Sequence, residues 1–185
     1  MGNVNPRISS AISLSEVEVS LKPGLSVSVY ILVEEMEKNY EKPGKSMEIF
    51  LSDFCAGIIP FKLWPGSVNL ATFFLDNQHG LSFKQKRVVE LGCGAAALVG
   101  LSIAKFLEPK SVVLTDREIL RSPVSAAIHA HGLQGTCEFN TFDWGDGEDL
   151  EKFKNRIDFD IVVAAEIIYV EEQDAPCIYV LDKSP

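Results

Sequence analysis

Two glycines one residue apart, Gly92 and Gly94, join two apolar runs. Val88, Val89 and the acid Glu90 precede them; Ala95-Ala96-Ala97-Leu98-Val99-Gly100 follows. Residues without a Cβ let a ligand approach the backbone, and a helix starting at such a turn offers unpaired N–H groups. The pattern predicts a strand, a tight turn and a helix N-terminus that hold a nucleotide-type cofactor on an α/β sheet. Two cofactors compete. Gly92-x-Gly94-x-x-Ala97 satisfies the dinucleotide fingerprint, and Asp116, at the end of the next apolar run, can accept hydrogen bonds from ribose hydroxyls. On those residues alone an NAD(P) oxidoreductase is a credible reading.

Three further features favour S-adenosylmethionine. Glu90 stands two residues before Gly92, where a carboxylate can engage an ammonium-bearing ligand and would repel a pyrophosphate. Asp143-Trp144 closes a third apolar run, so that an indole can pack on adenine and a carboxylate can accept from its exocyclic amine. Glu166 and Tyr169 lie three apart after a fourth run, at the carboxyl edge where open α/β sheets bind ligands. Each side chain also has a plain reading, as a packing aromatic, a helix-cap acid or a solvated acid.

Glu90-Leu91-Gly92-Cys93-Gly94, Leu114-Thr115-Asp116, Asp143-Trp144 and Glu166-Ile167-Ile168-Tyr169 together resemble the seven-β-strand class I methyltransferases. More narrowly they resemble the family 16, methyltransferase-like, protein-lysine methyltransferases, in which a Trp-Pro segment precedes the helix leading to strand one. Lys62-Leu63-Trp64-Pro65 matches that segment, and the resemblance spans roughly residues 45–173. It implies S-adenosyl-L-methionine as cofactor and a protein substrate presenting a lysine side chain to a monomer. It also implies that Trp64 lines the cofactor pocket, with Cys93 and Ala165 joining Glu90, Gly92, Gly94, Asp116, Asp143 and Trp144 in holding the cofactor. Glu166 would hold and orient the incoming amine, and Tyr169 would wall the lysine channel and contact the cation through its ring. Two departures stand out. Ala96 occupies the place of a third glycine, where its methyl is expected to narrow the pocket for the methionine part, and one extra residue precedes Leu98.

The elements that must position these residues read as a doubly wound, mostly parallel, Rossmann-like sheet with an N-terminal β-hairpin extension. Alternation over residues 16–33, broken at Lys22-Pro23-Gly24, predicts the hairpin. A second Lys-Pro-Gly at 42–44 and a strand at 47–50 follow. A helix after Trp64-Pro65 is expected to end near His79-Gly80. Strands at 87–91, 111–115, 137–142 and 159–165 then alternate with helices at 98–107 and 124–131. The acidic run at 146–151 reads as a solvated loop and helix start. Residues 1–15 are expected to form a disordered tail, 16–80 the extension and 81–185 a partial cofactor domain. Only a short possible strand at 177–181 follows strand four, so the sheet is expected to be truncated there. A non-catalytic, binding-only chain is therefore the alternative function.

Bulk properties narrow the classes further. The chain has 185 residues, enough for one domain, and its net charge of −9 disfavours nucleic acid as a partner. No run approaches the roughly 18 apolar residues of a membrane span. Cys55, Cys93, Cys137 and Cys177 form no C-x-x-C pair, which predicts reduced thiols and a cytoplasmic location, with the nucleus as a second site. Cys93 has no identifiable base in sequence and reads as a small buried filler. His79, His129 and His131 lack metal-ligand spacing.

Overall fold

The structure, a computed structural model, describes residues 14–31, 59–76, 80–155 and 158–167. The expected strands at 47–50 and 177–181, the second Lys-Pro-Gly turn and most of the expected tail lie outside the described residues. Strands β1 (Ser15–Lys22) and β2 (Leu25–Ile31) form the hairpin, antiparallel with Val17 opposite Val29 and Val19 opposite Val27. Gly24 makes the turn at φ 77°, a conformation glycine adopts without penalty. Alternation buries Val19, Leu21, Val27, Val29 and Ile31 on one face. That face packs on helices rather than extending the main sheet.

The main sheet contains β3 (Arg87–Leu91), β4 (Ser111–Asp116), β5 (Cys137–Thr141) and β6 (Ile161–Ala164). Its order is β5-β4-β3-β6 and every pairing is parallel. Helices α1 (Pro65–Leu75), α2 (Leu98–Phe106), α3 (Arg121–Ala130) and α4 (Gly147–Asn155), with 3-10 turns at Ile59–Phe61 and Glu118–Leu120, complete the described elements. Side-chain alternation along β3 separates two cores. Val88 joins Leu98, Leu101 and Ile103 of α2 and Val124 and Ala127 of α3, whereas Val89 and Leu91 join Phe142, Leu150 and Phe153. Each fully buried aliphatic such as Leu101 or Ile103 contributes about 1.5–3 kcal/mol of transfer free energy. The chain winds outward from β3 to β5, then jumps back to β6 on the other side of β3. This reversal is the switch point at which doubly wound sheets open a crevice.

Two helix boundaries differ from the sequence reading, and the acidic run starts a helix as expected. Helix α1 ends at Leu75, with the Asp76 amide bonded to Thr72 and Phe73 carbonyls, rather than near residue 80. Helix α3 starts at Arg121, earlier than expected, because a 3-10 turn over Glu118–Leu120 leads into it and Arg121 pairs with Glu118. The acidic run forms the first turn of α4, capped by Asp146 Oδ1, which accepts from the Glu148 amide at 2.8 Å. His131 closes α3 and ties it to the hairpin, its Nε2 accepting from the Ser28 amide at 3.1 Å. No helix among the described residues is long and apolar enough to cross a membrane.

Candidate functional site

The turn after β3 is built around its glycines. Gly92 and Gly94 hold φ of 64° and 62°, both left-handed. A Cβ on Gly92 would lie 3.0 Å from Ile167 Cγ2 and 3.1 Å from Trp144 Cζ2, so its absence lets both side chains close over the backbone. A Cβ on Gly94 would lie 3.2 Å from the Pro60 carbonyl oxygen. The residue that departs from normal backbone geometry is Ala97, at φ 44° and ψ 32°, immediately before α2. A non-glycine residue pays roughly 1–2 kcal/mol there. The extra residue read from the sequence is thus accommodated by a left-handed alanine, while Ala96 lines the cavity.

Three amides of this turn, and that of Gly100 in the first turn of α2, are satisfied by the protein itself. The Cys93 amide donates to Thr115 O at 3.0 Å, that of Gly94 to Asp116 Oδ2 at 2.8 Å and that of Ala95 to Pro60 O at 2.7 Å. The Gly100 amide donates to Glu90 Oε2 at 2.8 Å. The expectation of unpaired N–H groups is therefore corrected at these four positions. The Cys93, Gly94 and Ala95 amides are thus taken up by a carboxylate and two carbonyls, which leaves them unavailable to a diphosphate.

Glu90 lies behind the turn and does not line the cavity. It shares the α2 face of β3 with Val88, and is only 3% exposed. Burial pushes its carboxyl up to about 8; the Gly100 amide opposes this, and the charge of Asp116 adds to it. Gly100 makes the contact possible, since a Cβ there would overlap Leu114 and come within 2.6 Å of Oε2. Glu90 is a latch between strand and helix, placed there because alternation turns it toward α2.

A cavity of about 430 Å³ opens at the carboxyl ends of all four strands, within the ordinary range of small-molecule sites. After β3 it is lined by Gly92, Cys93 and Gly94, and after β4 by Asp116 and Arg117. After β5 come Asp143 and Trp144, and after β6 Ala165 and Glu166. Trp64 closes it from the start of α1, its indole N–H donating to Ile59 O at 3.2 Å. Asp116 is held from both sides, Oδ2 by Gly94 and Oδ1 by the Arg117 amide at 2.8 Å, and burial raises its pKa. Asp143 Oδ1 accepts from the Gly145 amide at 3.0 Å. Cys93 is buried and its thiol pKa is pushed up by desolvation and by the charges of Asp116 and Glu90, which suits filler rather than nucleophile. Glu166 is exposed, with a left-handed φ of 53°. Tyr169 lies outside the described residues.

The structure thus gathers Trp64, Gly92, Cys93, Gly94, Asp116, Asp143, Trp144, Ala165 and Glu166 at one cavity and leaves Glu90 out. It adds Pro60, Lys62, Ser67 and Arg117 to the lining. The Lys62–Pro65 motif pointed to the neighbourhood of Lys62, which is buried at 6% exposure. Pro60 acts through its carbonyl, for which a side-chain pattern carries no signal. Among the described residues no group of His, Cys, Asp and Glu is arranged to hold a metal.

Comparison with known proteins bears on this geometry. The family model for lysine methyltransferase matches residues 45–184. Protein N-lysine methyltransferase METTL21A of Danio rerio is 32% identical over 113 residues, which are 60% of this chain and 48% of the relative. EEF1A lysine methyltransferase 3 of Xenopus tropicalis is 31% identical over 114 residues, 60% of this chain and 46% of the relative. The chain spans about half the length of the curated relatives it matches.

Proposed function

The chain belongs to the lysine methyltransferase family, and from that premise we propose that it transfers a methyl group from S-adenosylmethionine to a lysine side chain of a protein. The observation that carries the cofactor choice is the occupation of the turn amides by Asp116 and the Pro60 carbonyl. That arrangement repels a diphosphate and accommodates a cationic sulfonium. Of the charged side chains lining the cavity, Asp116, Asp143 and Glu166 outnumber Lys62 and Arg117, which favours a positively charged ligand. Two groups would flank an adenosine: the Trp144 indole, whose ring edge reaches Gly92, and the Asp143 carboxylate. Asp116 keeps acceptor capacity for ribose hydroxyls, because each of its oxygens receives one backbone N–H and has a second lone pair.

S-adenosylmethionine supplies an electrophilic methyl on its sulfonium. What the chain's own residues contribute is alignment, because direct displacement requires the amine in line with the carbon–sulfur bond. A lysine ammonium, with a reference pKa near 10.4, must lose its proton first, at a cost of about 4 kcal/mol near neutral pH. Glu166, exposed at the cavity edge, would hold that amine, and the proton would leave to water. Tyr169 would wall the lysine's path.

Titration calorimetry with S-adenosylhomocysteine and with NADH tests the cofactor assignment. Micromolar binding of the former and none of the latter is expected, and a folded sample that binds neither, or only NADH, overturns it. A radiolabelled methyl group appearing on a protein lysine tests the transfer; cofactor binding without transfer would leave a binding protein. We place the protein in the cytosol or nucleus, supported by Cys93 and Cys137 being buried free thiols.

A further inference from the structure

Gly66 is the second residue of α1, and its backbone is not in the left-handed region that calls for glycine. Glycine inside a helix is disfavoured relative to alanine, so its presence needs another reason. The reason lies across the cavity mouth. A Cβ built on Gly66 would stand 2.6 Å from both Cγ and Cδ of Glu166 and 3.0 Å from its Oε1. The side chain of Glu166 therefore lies directly over the bare Cα of Gly66. Glu166 itself holds a left-handed φ of 53°, an uncommon state for a residue with a side chain. That backbone turn after β6 and the bare Cα at the start of α1 together determine where the carboxylate sits.

We propose that Gly66 is a positioning residue for Glu166. It provides the seat that holds the Glu166 carboxylate at the cavity edge, and the pair is matched in size, a glutamate needing a glycine opposite. The role assigned to the positioned carboxylate, receiving the incoming lysine amine, rests on the methyltransferase reading above. The atoms an alanine would strike are the far end of a flexible side chain. The substitution therefore displaces the carboxylate and spares the fold. Shortening Glu166 to aspartate removes one methylene and returns the room that an alanine occupies.

The test compares wild type with Gly66→Ala, Glu166→Asp and the double variant G66A/E166D. G66A is expected to melt no lower than wild type and to bind S-adenosylhomocysteine within about twofold. Its KM for the protein substrate should rise roughly ten- to hundredfold, the scale of an ångström-sized misplacement. G66A/E166D should recover much of that loss, so the two changes couple instead of multiplying. An unchanged KM in G66A, or a double variant whose losses simply multiply, overturns the proposal. A readout independent of turnover is the ¹³C resonance of the Glu166 carboxyl in glutamate-labelled protein, which should move in G66A. If wild type transfers no methyl group, the functional reading fails, while this resonance still decides the positioning: an unshifted signal overturns it.

Discussion

Glu90 and Glu166 are acids at the carboxyl ends of neighbouring parallel strands, and they have opposite fates. Glu90, inside β3, is sealed under α2 with its carboxyl raised to about 8 and one oxygen bonded to the Gly100 amide. Glu166, two residues past β6, stands exposed at the cavity with its side chain laid over Gly66. An acid still within the strand takes the face that alternation assigns to it. An acid beyond the last ladder pair is free of that rule and can turn into the ligand crevice. The first serves the fold, at a cost set by desolvation; the second lines the cavity, exposed, and costs the fold little.

The largest effects should come from Glu90. Glu90→Ala leaves the buried Gly100 amide without an acceptor and opens a void, and should destabilise by about 2–4 kcal/mol in urea unfolding. The pH dependence has a defined sign. The carboxyl is raised from 4.5 in the unfolded chain to about 8 when folded, so the native state keeps a proton that the unfolded state releases. Its contribution is complete below pH 4.5 and is lost as pH rises through 8, at up to about 1.4 kcal/mol per unit. Glu90→Gln keeps an acceptor for Gly100 and should flatten that slope. A slope in E90Q as steep as wild type would remove Glu90 as its source.

Glu166→Gln should behave in the reverse way. Unfolding free energy is expected to stay within about 0.5 kcal/mol of wild type, as for an exposed side chain. Methyl transfer measured as kcat/KM should fall at least about tenfold, the scale of a lost hydrogen bond to a charged group. Equal stability losses in E90A and E166Q at neutral pH would erase the distinction between the two acids. The smallest effect belongs to the turn that follows Glu90. Ala97→Gly relieves a left-handed alanine and should raise stability by up to about 1 kcal/mol, with cofactor affinity unchanged. A lower urea midpoint would contradict the conformation assigned to Ala97.

Much of the scaffold was legible from local pattern. The apolar run at 87–91 is β3 to the residue, and Lys22-Pro23-Gly24 marks the hairpin turn. Both signals are short-range, a period and a turn chemistry. The candidate site was legible as a set of strand-end residues, because parallel strands bring their carboxyl ends to one edge whatever lies between them. Glu90 was legible as an important acid and not as a buried one. Both faces of β3 are apolar, so the alternation of Val88, Val89, Glu90 and Leu91 does not say which face meets the start of α2 and which meets α4.

The sequence by itself determined the order of strands, the glycine turn and which side chains stand at the strand ends, since these follow from periodicity and from where glycine and acid residues fall. Only the tertiary structure decided who partners whom. The Pro60 carbonyl reaches the Ala95 amide, the Glu166 side chain crosses Gly66, and Glu90 closes on Gly100. These contacts join residues on separate elements, and two of the three use backbone atoms that every residue type shares. Such contacts come into being when helices dock on a sheet at a particular distance, and side-chain patterns along the chain do not encode that distance.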